Sequence, residues 1–121
     1  MALKLTSREV DGITVVALDG RIVLGEETSK LRESVKNLVS EGKKKLVLDM
    51  KNVTMIDSSG LGALVAAYSS AKSGGATVRL CNLGAHFNQL LQITKLLTVF
   101  EVSQTQEDAV RSFSKSQGSG A

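Results

Sequence analysis

Asp57, Ser58 and Ser59 stand between a run of strand character and an amphipathic helix, and they are the residues of this chain best placed for chemistry. A hydroxyl at such a junction is held rigidly by two elements and still offered to a visitor. Two chemistries use it: nucleophilic attack, which needs a base, and phosphate acceptance, which needs access and a kinase. The first is poorly provided for. A nucleophile elbow requires Gly-x-Ser-x-Gly, and here Ile56 precedes Ser58 where a glycine is needed, with only Gly60 on the far side. His86 is the one histidine and falls at the start of a later helix, where a surface or capping role is the plainer one. Asp49 and Asp57 complete a triad only on paper. One histidine and one cysteine do not make a zinc set, and Gly60-Leu61-Gly62 has neither Walker nor dinucleotide spacing. No catalytic residue, metal or cofactor is expected.

The same oxygens could simply cap the helix, because Asp and Ser side chains satisfy the orphan amides of a first turn. Two glycines argue for more, since Gly60 and Gly62 each cost about 1 kcal/mol relative to alanine within a helix. A missing Cβ lets a second macromolecule approach the backbone. Asp57, Ser58, Ser59, Gly60, Leu61 and Gly62 are therefore expected to form a partner-binding surface centred on Ser58.

The elements that position this surface follow from periodicity. Leu46-Val47-Leu48 is the apolar heart of a buried strand that Val53 to Ile56 carries toward the serines. Leu61, Leu64, Val65 and Tyr68 then fall on one helical face, and Gly74-Gly75 stops a helix expected from about Ser58 to Ser73. A strand from Ala76 to Leu83 follows. This strand-helix-strand unit should have parallel strands and a right-handed crossover, which puts Ser58 at the carboxyl edge of the sheet. Upstream, Leu3 to Val10, the turn Asp11-Gly12 and Ile13 to Leu18 predict a hairpin. After a Gly20 to Gly25 loop, Leu31, Val35, Leu38 and Val39 mark a helix ended by Gly42. Downstream, Phe87, Leu90, Leu91 and Thr94 outline a third helix, Leu97 to Val102 a short strand, and Glu107 to Phe113 a last helix burying Ala109, Val110 and Phe113. Ser114 to Ala121 is serine- and glycine-rich and reads as a flexible tail, leaving one domain over residues 1–113.

Composition agrees. A chain of 121 residues with 42% apolar content supports one core of modest size. The net charge is +3, but Lys43, Lys44 and Lys45 form the only tight basic cluster and aromatics are 3% of the chain. Direct nucleic-acid contact is not expected on that pattern. A lone cysteine excludes an internal disulfide, and without a signal peptide or long apolar span the reading is a cytoplasmic protein that does not insert into membranes. Cys81 itself lies in an apolar run and should be a small buried hydrophobe.

Val53-Thr54-Met55-Ile56-Asp57-Ser58-Ser59-Gly60-Leu61-Gly62 resembles the phosphorylation loop of the STAS domain family, and within it the bacterial anti-sigma factor antagonists. The resemblance extends to Leu18-Asp19-Gly20, read as closing an early hairpin, to Lys43-Lys44-Lys45-Leu46-Val47-Leu48-Asp49, to Gly74-Gly75 before Val78-Arg79-Leu80-Cys81-Asn82-Leu83, and to Leu90-Leu91-Gln92-Ile93-Thr94-Lys95-Leu96. It implies an α/β fold: a single STAS-like domain whose mixed sheet of about five strands has an N-terminal hairpin, parallel β-α-β units and about four helices. It also implies that Ser58, the serine directly after the aspartate, is the phosphorylated residue. The implied partners are an anti-sigma factor with serine kinase activity and a serine phosphatase, and binding would be switched off by phosphorylation so as to control sigma-factor-dependent transcription. Family members often carry an acid shortly after the glycine of that hairpin, whereas this chain reads Gly20-Arg21-Ile22-Val23-Leu24-Gly25 with no acid before Glu26. The other role open to such a domain is a scaffold or regulatory subunit of a transporter or signalling complex, with Ser58 no more than a cap.

Overall fold

The computed structural model describes residues 3–23, 25–93 and 100–119. Five strands lie in the order β1 (Lys4–Val10), β2 (Ile13–Ile22), β3 (Lys45–Ile56), β4 (Thr77–Cys81) and β5 (Glu101–Ser103). β1 and β2 are antiparallel, and every later neighbour is parallel. Among the described residues four helices connect or follow the strands: α1 (Glu26–Ser40), α2 (Ser58–Ser73), α3 (Ala85–Ile93) and α4 (Gln106–Ser119).

Local chemistry accounts for the punctuation. Asp11 and Gly12 have φ of 53° and 79°, the double positive value that lets a tight turn follow the twist of a hairpin. α1 and α2 end alike. Gly42 donates to the Val39 carbonyl and Lys43 to that of Leu38, while Gly75 donates to Lys72 and Ala76 to Ala71. Both are Schellman motifs, and the positive φ of Gly42 and Gly75 is what permits them.

Side-chain alternation then sorts the sheet's two faces. Val16, Leu18, Leu46, Leu48, Val78 and Leu80 meet Leu31 and Val35 of α1 and Leu61, Leu64 and Ala67 of α2 in the main core. On the other face Ile13, Val15, Val47 and Cys81 pack against Ala109 and Phe113 of α4. Leu64 has no exposed surface, and burial of that completeness stabilises by about 1.5–3 kcal/mol per large aliphatic side chain. Tyr68 of α2 meets Phe100 edge-on, with ring centroids 5.2 Å apart.

Several expectations are corrected. Asp19-Gly20 does not close a hairpin: both residues lie inside β2, which continues to Ile22 beside Ile56. The register slips between Ala17 and Asp19 and again between Gly20 and Arg21, and Gly20 has φ of 123°, so bulges absorb what looked like a turn. The loop expected from Gly20 is shortened accordingly. β4 stops at Cys81 rather than Leu83, because Asn82 takes a left-handed φ of 57°. α4 begins one residue earlier than Glu107, at Gln106, where the Thr105 hydroxyl accepts from the Asp108 amide at 3.1 Å, and its backbone stays helical to Ser119 rather than ending at Phe113. Thr94 and Leu97 to Val99, assigned to the third helix and last strand, lie outside the described residues.

Candidate functional site

β3 ends at Ile56 and α2 starts two residues later, so the serines sit just beyond the carboxyl end of a central strand. Asp57 is the hinge. Its backbone is extended (φ −109°, ψ −176°), its Oδ1 accepts from the Gly60 amide at 2.8 Å, and its carbonyl accepts the first helical bond, from Leu61, at 2.9 Å. Asp57 is therefore the N-cap. Ser58 is the first helical residue and is exposed; its hydroxyl is not the cap. Ser59 is half-buried, Gly60 and Leu61 are buried, and Gly62 is exposed.

The two glycines differ in cause. A Cβ on Gly60 would lie 1.8 Å from the Ile22 carbonyl oxygen and 2.7 Å from its carbon, so the end of β2 presses on the first turn of α2 where only glycine fits. The Asp57 amide donates to that same Ile22 oxygen at 3.3 Å. Gly60 is thus demanded by packing inside the domain, whether or not a partner approaches it. Leu61 likewise points into the core. A Cβ on Gly62 would meet nothing within 4 Å, and here the backbone does lie open. Ser58 and Gly62 are one helical turn apart and share a face; with Asp57 and Ser59 they make up the accessible part of the motif.

A phosphate on Ser58 would sit at the N-terminus of a 16-residue helix with no acidic residue in its first turn. The free amides and macrodipole there favour an anion by about 0.3–1 kcal/mol at an exposed position.

The other residues weighed for chemistry are placed elsewhere. Asp49 is buried on the α4 face, where its carboxylate accepts from Asn82 Nδ2 at 2.9 Å, Gln106 Nε2 at 3.0 Å and the Lys51 amide at 3.0 Å. It is remote in role from Asp57, whose carboxylate caps α2. Cys81 is buried beside it, and burial first, the Asp49 charge second, push its thiol up to about 12. His86 falls in the first turn of α3, and its side chain lies outside the described residues. Among the described residues no group of His, Cys, Asp or Glu is arranged to hold a metal ion, and no helix is long and apolar enough to cross a membrane. Of the basic cluster, Lys43 pairs with Glu9 at 3.5 Å and Lys44 donates to the Gly74 carbonyl at 2.7 Å.

Two features escaped the sequence reading. Met55, three positions before Ser58, leaves 54% of its surface exposed on the rim of a cleft of about 80 Å³. Arg79 is buried under α4, its guanidinium 4.4 Å from the centre of the Phe113 ring and donating to Ser112. Its position between Val78 and Leu80, in a strand buried on both faces, was the available signal.

The STAS domain family profile matches residues 4–109. The anti-sigma-B factor antagonist of Bacillus subtilis is 32% identical over 81 residues, spanning 67% of this chain and 73% of that one. An anti-sigma factor antagonist from Mycobacterium paratuberculosis, known from its crystal structure, superposes with a TM-score of 0.77 at 22% identity, covering 91% of this chain and 92% of the other. The Bacillus cell fate determinant SpoIIAA in its phosphorylated form shares the fold at a TM-score of 0.69 and 16% identity, over 91% of this chain and 99% of that one. A sequence match running from the first strand into the last helix, with the five-stranded architecture beneath it, makes this chain a member of the STAS domain family, among its anti-sigma factor antagonists.

Proposed function

We propose that this chain binds an anti-sigma factor that is also a serine kinase, and that phosphorylation of Ser58 ends the interaction. The observation that carries the reading is the division between neighbours: Asp57 caps the helix, which leaves the Ser58 hydroxyl exposed and without a structural duty. Two relatives are named antagonists, and SpoIIAA has been solved in both an unphosphorylated and a phosphorylated form.

The mechanism is electrostatic. An unmodified hydroxyl one helical turn from the exposed Gly62 can be covered with little desolvation penalty. Phosphorylation adds about −1.5 to −2 charge next to Asp57. A charge left unpaired in an interface costs on the order of 2–5 kcal/mol, or roughly 30- to 5,000-fold in affinity. Bound partner would release its sigma factor; the kinase would close the cycle by consuming its own ATP, and a serine phosphatase would reopen it. The chain itself does no catalysis, holds no cofactor, and works in the cytoplasm where its partners are.

The test is to incubate the chain with ATP and each purified kinase-type anti-sigma factor of the same genome. A phosphopeptide at Ser58, binding kept by Ser58→Ala and lost by Ser58→Asp, is the expected result. Undiminished binding by Ser58→Asp defeats the switch and leaves the scaffold role.

A further inference from the structure

β3 outruns its neighbour. Lys45 to Asp49 pair with Thr77 to Cys81 of β4, and there β4 ends as Asn82 turns away with φ of 57°. β3 continues to Ile56 with β2 on one side only, the last pair being Ile22 and Ile56. Successive residues of a strand direct their N–H and C=O groups to alternate sides. From Met50 to Ile56, then, one row of backbone groups has no strand partner among the described residues. The Lys51 amide is accounted for by Asp49 Oδ1. Such an edge is a template for another strand, and folded proteins normally blunt it with charge, proline or cover. This one carries a single ionisable side chain, Lys51, and an exposed Met55. Beside it lies the cleft of about 80 Å³, lined by Met50, Val53, Thr54, Met55, Gly84 and Phe87.

The geometry points to a second half of the docking surface: the β3 edge from Met50 to Ile56 receives an extended segment of the protein that docks at Ser58. The segment adds a strand to the sheet, sets one apolar side chain in the cleft and presents an acidic residue to Lys51. This rests on the reading that Ser58 lies in a docking surface. Three features select the occupant. Open backbone donors and acceptors are satisfied by a strand and not by a helix, whose backbone is already bonded internally. The cleft, about 80 Å³, is on the scale of one side chain of an extended chain. Charge selects the rest: Lys51 is the one ionisable side chain between Met50 and Ile56, and it is exposed.

Amide hydrogen exchange on the full chain, free and with the purified kinase-type anti-sigma factor in the absence of ATP, tests this. Alternate amides of residues 50–56 are expected to slow in the complex. Met55→Asp and Lys51→Glu are each expected to weaken binding by about tenfold or more, equivalent to about 1.4 kcal/mol, while leaving the unfolding midpoint of the free chain in place because both side chains are exposed. A complex that forms and is lost in Ser58→Asp, yet leaves residues 50–56 exchanging as in the free chain, overturns this inference alone. Absence of any complex overturns the reading beneath it as well. Protection of the same amides in the free chain that grows with its concentration assigns the edge to a second copy and overturns the proposal.

Discussion

Gly60→Ala and Gly62→Ala make the same chemical change two positions apart in one helix turn, and they should move stability in opposite directions. At Gly62 the added methyl meets nothing within 4 Å, so only helix propensity acts and the variant gains about 0.5–1 kcal/mol. At Gly60 the methyl would arrive 1.8 Å from the Ile22 oxygen, 2.7 Å from the Ile22 carbon and 2.9 Å from Ile22 Cγ2. Two of these atoms are backbone, so no rotamer change relieves the contact, and α2 must retreat from β2 by more than an ångström to restore ordinary contact distances of about 3.5 Å. Overpacking of this kind costs about 1–3 kcal/mol. The retreat also stretches the bond from the Asp57 amide to the Ile22 oxygen, worth about 1 kcal/mol. Setting the propensity gain of about 1 kcal/mol against these leaves a net loss of about 1–3 kcal/mol. Urea unfolding followed by circular dichroism reads both variants against the parent. At about 3–5 °C per kcal/mol for a chain of this size, a thermal scan separates them as well. A Gly60→Ala protein as stable as the parent would refute the close approach of β2 to α2 and with it the packing explanation of that glycine.

Other outcomes follow from the same contacts. Asp57→Ala should lose about 0.5–2 kcal/mol of stability while Asp57→Asn keeps most of it, since the cap needs an acceptor oxygen and not a charge; denaturant midpoints decide. Cys81 should resist thiol reagents at neutral pH until the chain unfolds, because its thiol is pushed up to about 12. The folded thiol keeps its proton where the unfolded one gives it up, near the ordinary thiol value of 9.0. The Cys81 contribution is therefore fully present below about pH 9 and declines by at most about 1.4 kcal/mol per pH unit above it; that part of the alkaline loss should vanish in Cys81→Ala. Phe113→Ala should cost about 3–5 kcal/mol by leaving Arg79 and the Val47 face of the sheet uncovered, measured again by urea unfolding.

Much of this was legible from residue order. Asp11-Gly12, Gly42 and Gly74-Gly75 mark turns whose backbone angles few other residues adopt, and the structure turns at each. The run Leu46-Val47-Leu48, read as the apolar heart of a buried strand, does lie in one, with Leu46 and Leu48 in the main core and Val47 under α4. What stayed hidden depended on contacts distant in sequence. Gly20 has the composition of a turn and works as a bulge because β3 is there to pair with Arg21 and Ile22. Asp57, Ser58 and Ser59 all carry a capping oxygen, and only the path of β3 into α2 selects Asp57. Gly60 looked like an opening for a visitor because Ile22, 38 positions earlier, is not a neighbour in the sequence.

Because Asp57 and not Ser58 is the cap, the proposed switch is separated from the fold. Were the acceptor hydroxyl itself the cap, esterifying it would put about 0.5–2 kcal/mol of helix stability at stake with every cycle, against a total that for domains is typically about 5–15 kcal/mol. Binding and folding would then be coupled, and the modified chain would be the weaker fold. With Asp57 holding the Gly60 amide and the Ile22 carbonyl holding the Asp57 amide, the first turn of α2 is secured by groups that phosphorylation leaves alone. A phosphate on the adjacent position then meets a helix end that favours it by about 0.3–1 kcal/mol in the free chain and an interface that rejects it by about 2–5 kcal/mol. The difference between those two environments is the whole of the switching energy, and it can be spent on release without drawing on the stability of the domain.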